Sequence, residues 1–143
     1  MQTWICIHGE FLRDQLCCAV CLVYAPNDQN GRRKIWDQIR NFRASIGALF
    51  LLMGDFNEVL HPRERRGAIV STTSVRDFQD IFQDVQLMDL DIDQNFMLLR
   101  KNAASRIDRV LVEQDFLIHF LRIQAFYKNR LLSNHFPIVV VTG

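Results

Sequence analysis

The run Leu49-Phe50-Leu51-Leu52-Met53 constrains this chain more than any other feature. Five apolar residues in succession, bounded by Gly47 and Gly54, leave no polar face for water. That is how a strand covered on both sides reads. Such a strand needs a layer above it and a layer below it, and the neighbouring segments have the patterns to supply them. Upstream, Leu16 to Ala25 reads as a strand that Pro26-Asn27-Asp28 ends. Ile35, Trp36, Ile39, Phe42 and Ile46 then recur at helical spacing, with Arg40 and Arg43 on the other face. Thr3 to His8 reads as a short strand that Gly9-Glu10 turns toward the next. Downstream, Arg63 to Thr73 reads as a polar loop, and Ser74 as the cap of a helix carrying Val75, Phe78, Ile81, Phe82 and Val85. Further strands are expected at Phe96–Arg100, Arg106–Val112, Ile123–Tyr127 and Pro137–Val141, with a short helix over Asp115–Leu121. Alternation of this kind predicts one α/β layered domain over residues 1–143.

Composition narrows the function classes. A chain of 143 residues can bury roughly 68–70% of its unfolded surface, enough for a real core. Its net charge of +1 argues against a surface that binds nucleic acid everywhere, because phosphate contacts supply most of such affinity. An enzyme needs only a local positive path or a metal at the scissile phosphate, so it is not excluded. The longest apolar runs, Ala48 to Met53 and Ile138 to Val141, are too short to cross a bilayer. Met1-Gln2-Thr3-Trp4 shows no basic region leading into an apolar one, so no signal peptide is visible. The four cysteines are therefore expected as reduced intracellular thiols. Cys18 and Cys21 have zinc-ligand spacing, but an odd separation in a strand sends their side chains to opposite faces. They read as buried structural cysteines.

Chemistry is expected where polar residues interrupt strand ends. Gly54-Asp55-Phe56-Asn57 closes the apolar strand with a carboxylate and an amide two residues apart. In extended chain they share a face, where Asp55 can serve a water as general base and Asn57 can fix that water or a phosphate oxygen. A loop-capping pair fits the same residues. Tyr24-Ala25-Pro26-Asn27 ends the preceding strand with two groups able to reach a phosphate, or with a plain Pro-Asn turn. Ser105-Arg106-Ile107-Asp108 sets a carboxylate against Val110, Leu111 and Val112. A carboxylate buried there needs a partner, either Arg109 or a histidine. His135 in Ser133-Asn134-His135 is a candidate, able as imidazolium to stabilise a phosphorane-like transition state, and a plain loop histidine fits the same residue. The remaining histidines, His8, His61 and His119, have no assigned role.

Taken in order, Tyr24–Asn27, Gly54–Asn57, Ser105–Arg109 and Ser133–Ile138 resemble the motifs of the endonuclease/exonuclease/phosphatase superfamily. Val23 to Asp28, Asp55 to Leu60 and Arg106 to Val112 are most similar to plant non-LTR retrotransposon (LINE-type) endonucleases. Each tetrapeptide is weakly specific alone; four in order over most of the chain are specific together. The resemblance implies a four-layer α/β sandwich of two mostly antiparallel sheets flanked by helices, and Mg²⁺-dependent cleavage of phosphodiester bonds in DNA. It implies Asp55 as general base, Asn57 as orienter of water and phosphate, and Tyr24 and Asn27 as phosphate contacts. Asp108 would orient His135, and His135 would bind the scissile phosphate. If functional, such a protein belongs in the nucleus.

Two departures qualify the expectation. The family domain opens with a strand bearing an Asn and another whose Glu binds the metal, and this sequence is similar only from beyond both. Glu10 does not replace that Glu. The acid of the family's Ser-Asp-His is Asn134 here, which leaves Asp55 and a weak Asn134 as metal ligands. Mg²⁺ is held through one or two carboxylates plus phosphate oxygens, so its binding is in doubt. Phosphate ester hydrolysis demands accelerations of up to about 10²¹, whereas a general base supplies about 10²–10⁴. The expected protein is a partial, weakly active or inactive nuclease. The alternative is a non-catalytic retroelement remnant that binds nucleic acid weakly through Arg63, Arg65, Arg66 and the Arg32-Arg33-Lys34 cluster. Without the opening strands, an apolar sheet face is expected to be exposed and to favour self-association. An inositol phosphate or lipid headgroup is a further substrate class, which the wording from Asp55 to Val59 disfavours.

Overall fold

Two strands at the start of the chain, β1 (Trp4–Phe11) and β2 (Leu16–Tyr24), pair antiparallel from Trp4 opposite Val23 to Phe11 opposite Leu16. The structure, a computed structural model, describes residues 4–13, 15–64, 71–93, 107–127 and 138–142. Gly9-Glu10, expected as the turn, lies inside β1 instead. Continuing the strand lets Phe11 pack on Phe120, with ring centroids 5.1 Å apart. The chain reverses after Phe11, where Gln15 adopts φ 53° and donates its N–H to the Phe11 carbonyl at 2.8 Å.

Helix α1 (Gln29–Ser45) starts ahead of its apolar stripe because Asp28 caps it, accepting from the Gly31 N–H at 2.7 Å. It returns the chain to β3 (Leu49–Asp55), which lies parallel to β2. A 3-10 turn at Pro62–Glu64 precedes α2 (Thr72–Val85). Ser71 rather than Ser74 caps α2, accepting from the Ser74 N–H at 3.3 Å. Ser74 is buried inside the helix, and its hydroxyl meets Glu58. Two short strands not expected from the sequence follow, β4 (Leu87–Leu90) and β5 (Ile92–Asp93). Then come β6 (Asp108–Glu113), α3 (Gln114–His119), β7 (Gln124–Tyr127) and β8 (Ile138–Val141). The strand expected at Phe96–Arg100 lies outside the described residues.

Among the described residues the strands form a five-stranded sheet in the order β1-β2-β3-β6-β4 and a three-stranded sheet in the order β5-β7-β8. Among the described residues, β2 with β3 and β5 with β7 are parallel and the other pairings antiparallel. On one face of the larger sheet, Cys21, Phe50, Leu52 and Leu111 pack against Trp36 and Ile39 of α1 and Phe78 and Ile81 of α2. Trp36 stacks on both Phe78 and Phe56, with centroids 5.2 and 6.1 Å apart. On the other face, Leu51, Val110 and Val112 meet Phe116 of α3, Ile92 of β5, and Ala125 and Tyr127 of β7. The apolar β3 is thus covered twice, as its sequence requires. The result is an α/β sandwich of a mostly antiparallel larger sheet and a mixed smaller one, with helices packed on the larger.

The cysteines divide by face. Cys21 points into the helix-side core and Cys18 into the inter-sheet core, as an odd separation dictates. The expectation that all four are reduced thiols is corrected, because Cys6 and Cys21 are joined by a disulfide. They sit directly opposite each other in the β1–β2 register, with Cα atoms 4.0 Å apart. Burial, followed by the neighbouring Cys17, pushes the Cys18 thiol up to about 11. Ile5, Ile7 and Leu22, on the β1–β2 face away from the helices, are 53%, 68% and 48% exposed. No helix among the described residues is long and apolar enough to cross a membrane.

Candidate active site

The register of the larger sheet brings three of the expected residues into one row. Tyr24 of β2 lies opposite Asp55 of β3, and Asp55 lies opposite Asp108 of β6. Directly opposed residues share a sheet face. Counting by twos from Cys18, Leu51 and Val110, that face is the one turned toward the smaller sheet. Asp55 is buried, Asp108 half-buried, and Tyr24 exposed.

Local folding holds the two loops beyond β2 and β3 together. The Ala25 N–H donates to the Asp55 carbonyl at 2.8 Å, extending the β2–β3 ladder by one step. The Phe56 N–H does the same toward the Ile107 carbonyl at 2.9 Å, on the β6 side. Asn57 turns the chain with φ 49°, donating its backbone N–H to Asp55 Oδ1 at 2.9 Å and its side-chain Nδ2 to the Ala25 carbonyl at 2.6 Å. Asn57 therefore orients Asp55 and ties the two loops together. Asn27 is exposed beside Tyr24, and its carbonyl accepts from Arg32 at 2.5 Å.

Two buried arginines hold this end of the sheet from the helix side. Arg32 of α1 donates to the carbonyls of Pro26 and Asn27, to Glu58 at 3.3 Å and to Ser74 Oγ at 2.8 Å. Arg109 of β6, expected as a partner for Asp108, points to the opposite face by strand alternation. It binds Asp89 at 2.5 Å and Glu64 at 2.6 Å and lies 5.8 Å from the centre of the Phe78 ring. Burial alone would raise the Glu64 carboxyl, but Arg109 and the N–H groups of His61 and Leu60 outweigh it and hold it below the usual carboxylate range. Glu58 and Glu64 were missed in the sequence. Glu58 had a signal, a lone acid between Phe56 and Val59 that burial would force to find a partner.

His135 and Asn134 lie outside the described residues, as do Arg65 and Arg66. The basic cluster Arg32-Arg33-Lys34 does not present three free cations to nucleic acid. Arg32 is buried on Glu58, and Arg33 pairs with Asp77 at 2.7 Å across α1 and α2. Among the described residues, no group of three or more His, Cys, Asp and Glu could hold a metal ion. Asp55 and Asp108 are the two carboxylates of the row, and Asp55 is already an acceptor for Asn57. Mg²⁺ is held through one or two carboxylates with phosphate oxygens completing its shell, so Asp55 and Asp108 are the described residues that would hold such an ion.

No protein-family model matches the sequence, and no curated protein matches it. Solved structures do match, and what the chain shares with them is the fold. The chain is similar to the 3'-5' exonuclease NExo from Neisseria meningitidis (TM-score 0.62, 14% identity), covering 98% of this chain and 80% of that one. The 3' phosphatase NExo bound to a product DNA hairpin matches with TM-score 0.63 and 13% identity, over 99% of this chain and 80% of that one. An AP endonuclease from Archaeoglobus fulgidus matches with TM-score 0.63 and 11% identity, over 96% of this chain and 64% of that one. A mutant beta toxin from Staphylococcus aureus with bound magnesium ions matches with TM-score 0.51 and 10% identity, over 97% of this chain and 53% of that one.

Proposed function

We propose that the chain carries a phosphodiesterase-type nuclease site of retrotransposon origin, with DNA as its polymer, whose catalysis is weak or lost. The observation that carries this reading is the row Tyr24–Asp55–Asp108 across three adjacent strands. In it Asp55 is the base that takes the proton of the attacking water. Asn57 holds that carboxylate, and Tyr24 and Asn27 stand exposed where a phosphate would lie. Asp108 is the residue assigned to orient His135, and His135 the one assigned to the scissile phosphate, as the resemblance of their motifs implies. Neighbouring folds that act on DNA support the polymer, and a neighbour with bound magnesium supports Mg²⁺ as the ion such a site uses. The incomplete acid set, with Asn134 where an Asp is expected, accounts for poor turnover. The remnant reading, weak binding without catalysis through Arg63, Arg65, Arg66 and the Arg32-Arg33-Lys34 cluster, is weakened where Arg32 pairs with Glu58 and Arg33 with Asp77.

If a phosphodiester approaches this row, the carboxylates repel it. Asp55→Asn and Asp108→Asn should each tighten binding of a short fluorescent DNA duplex by roughly three- to tenfold at low salt. Anisotropy titrations with EDTA present measure this directly. Affinities equal to that of the parent in both variants would place DNA elsewhere and remove the site from the proposal.

A further inference from the structure

We infer that Arg32 and Glu58 form a buried positioning pair that sets the Tyr24–Asn27 segment against the Asp55–Asn57 segment; its functional meaning rests on the site reading above. The guanidinium is shared between two destinations. One nitrogen donates to the carbonyls of Pro26 and Asn27 at 3.2 and 2.5 Å, and the other to Glu58 at 3.3 Å and Ser74 Oγ at 2.8 Å. Glu58 is the residue after Asn57, and its second oxygen accepts from the Val59 N–H at 2.9 Å. Arg32, Glu58 and Ser74 are 8%, 2% and 3% exposed. The pair is therefore dry, and its hydrogen bonds are not exchanged with water.

Its placement argues for more than stability. A buried ion pair is a poor stabiliser, because the cost of removing two charges from water cancels most of the attraction, and apolar residues of similar volume often do as well. What apolar residues cannot do is donate to two loop carbonyls and to a carboxylate on the next loop at once. A planar guanidinium with five donors in a fixed fork does this. The loops it joins carry Asn27 and Asn57 and flank Tyr24 and Asp55, so the fork fixes the spacing of those groups. Arg32 and Glu58 touch neither substrate nor the reacting atoms in this arrangement and act through the loops they hold.

The test uses amide exchange followed by NMR, which needs no substrate. Two amides report on the loops: Ala25 N–H, bonded to the Asp55 carbonyl, and Asn57 N–H, bonded to Asp55 Oδ1. Leu51 and Leu52 of β3 report on the sheet as a whole. The variant Arg32→Met/Glu58→Met/Ser74→Ala removes the polar cluster with little change in volume. Ala25 and Asn57 are expected to exchange at least about tenfold faster relative to Leu51 and Leu52. Arg32→Lys keeps the charge but not the fork, and the same selective acceleration is expected from it, which covers the case in which the triple variant does not fold. A purely structural role would speed all four amides by one common factor in Arg32→Lys; that result, or no change, overturns the inference. Failure of the nuclease reading shows in the parent chain's behaviour toward DNA and leaves these exchange ratios untouched, so the two failures are distinguishable.

Discussion

Gly54→Ala is expected to cost about 4 kcal/mol, a large share of the roughly 5–15 kcal/mol that holds a domain folded. Gly54 has φ +136°, a region that residues with a Cβ rarely adopt, at a cost of roughly 1–3 kcal/mol. A Cβ built there would also stand 2.1 Å from the Val23 carbonyl oxygen and 3.0 Å from its carbon. Val23 is the register partner of Gly54 in the parallel β2–β3 ladder, so that oxygen cannot move away without opening the centre of the sheet. The glycine of the Gly54–Asn57 motif is thus required one residue before the candidate base, where two strands come closest. Gly9→Ala is the control, because nothing lies within 4 Å of a Cβ at that position. Urea unfolding followed by the fluorescence of buried Trp36 compares the two. A Gly54→Ala unfolding free energy within about 1 kcal/mol of the parent would contradict the strained, close-packed backbone described here.

The second large effect is expected at Arg109. It is fully buried, and it faces two carboxylates, Glu64 and Asp89, whose side chains are only 14% and 19% exposed. Removing one partner of a buried ion pair leaves the other charge behind, and typically costs about 3–5 kcal/mol. Arg109→Met should fall near the lower end, about 3 kcal/mol, because both carboxylates retain some access to water. The loss should also change how stability depends on pH. Glu64 has a lowered pKa in the folded protein, so its stabilising contribution is complete above the ordinary carboxylate pKa of 4.5 and disappears as pH falls through the lowered value. Without Arg109 the lowering shrinks, and the acid-side decline in stability attributable to Glu64 should flatten. Urea titrations of parent and variant across the acid range measure both effects. Equal stabilities at pH 7 would mean that Glu64 and Asp89 do not depend on this guanidinium.

Features that repeat along the chain were legible before the structure. The five apolar residues of β3 forecast a strand buried twice over, and Leu51 faces one core while Phe50 and Leu52 face the other. The helical spacing of Trp36 and Ile39, and of Phe78 and Ile81, marked the faces that meet the sheet. Features decided by contact across the chain were not. β4 and β5 are too short to show a period, and they exist because neighbouring strands offer them partners. Ser74 looked like a cap because it precedes an apolar stripe, but its hydroxyl is used by Glu58, sixteen positions away in sequence. Arg109 looked like the neighbour of Asp108, yet the alternation that places Asp108 beside Asp55 also turns Arg109 to the other face. For the site, the motifs at the strand ends were visible in the sequence, and the register sets Tyr24, Asp55 and Asp108 in one row at one end of the sheet. The two arginine clamps behind them depend on pairings of 20 to 45 residues' separation, which no local pattern records.

The central claim, a nuclease-type site without useful turnover, is tested most directly by nicking of supercoiled plasmid. The purified chain is incubated with plasmid in Mg²⁺ and in EDTA, beside Asp55→Ala and His135→Ala. The account predicts a folded parent chain that nicks in Mg²⁺ no faster than either variant. Nicking by the parent that requires Mg²⁺ and is lost in both variants would contradict it, and would show that the residues present suffice for catalysis.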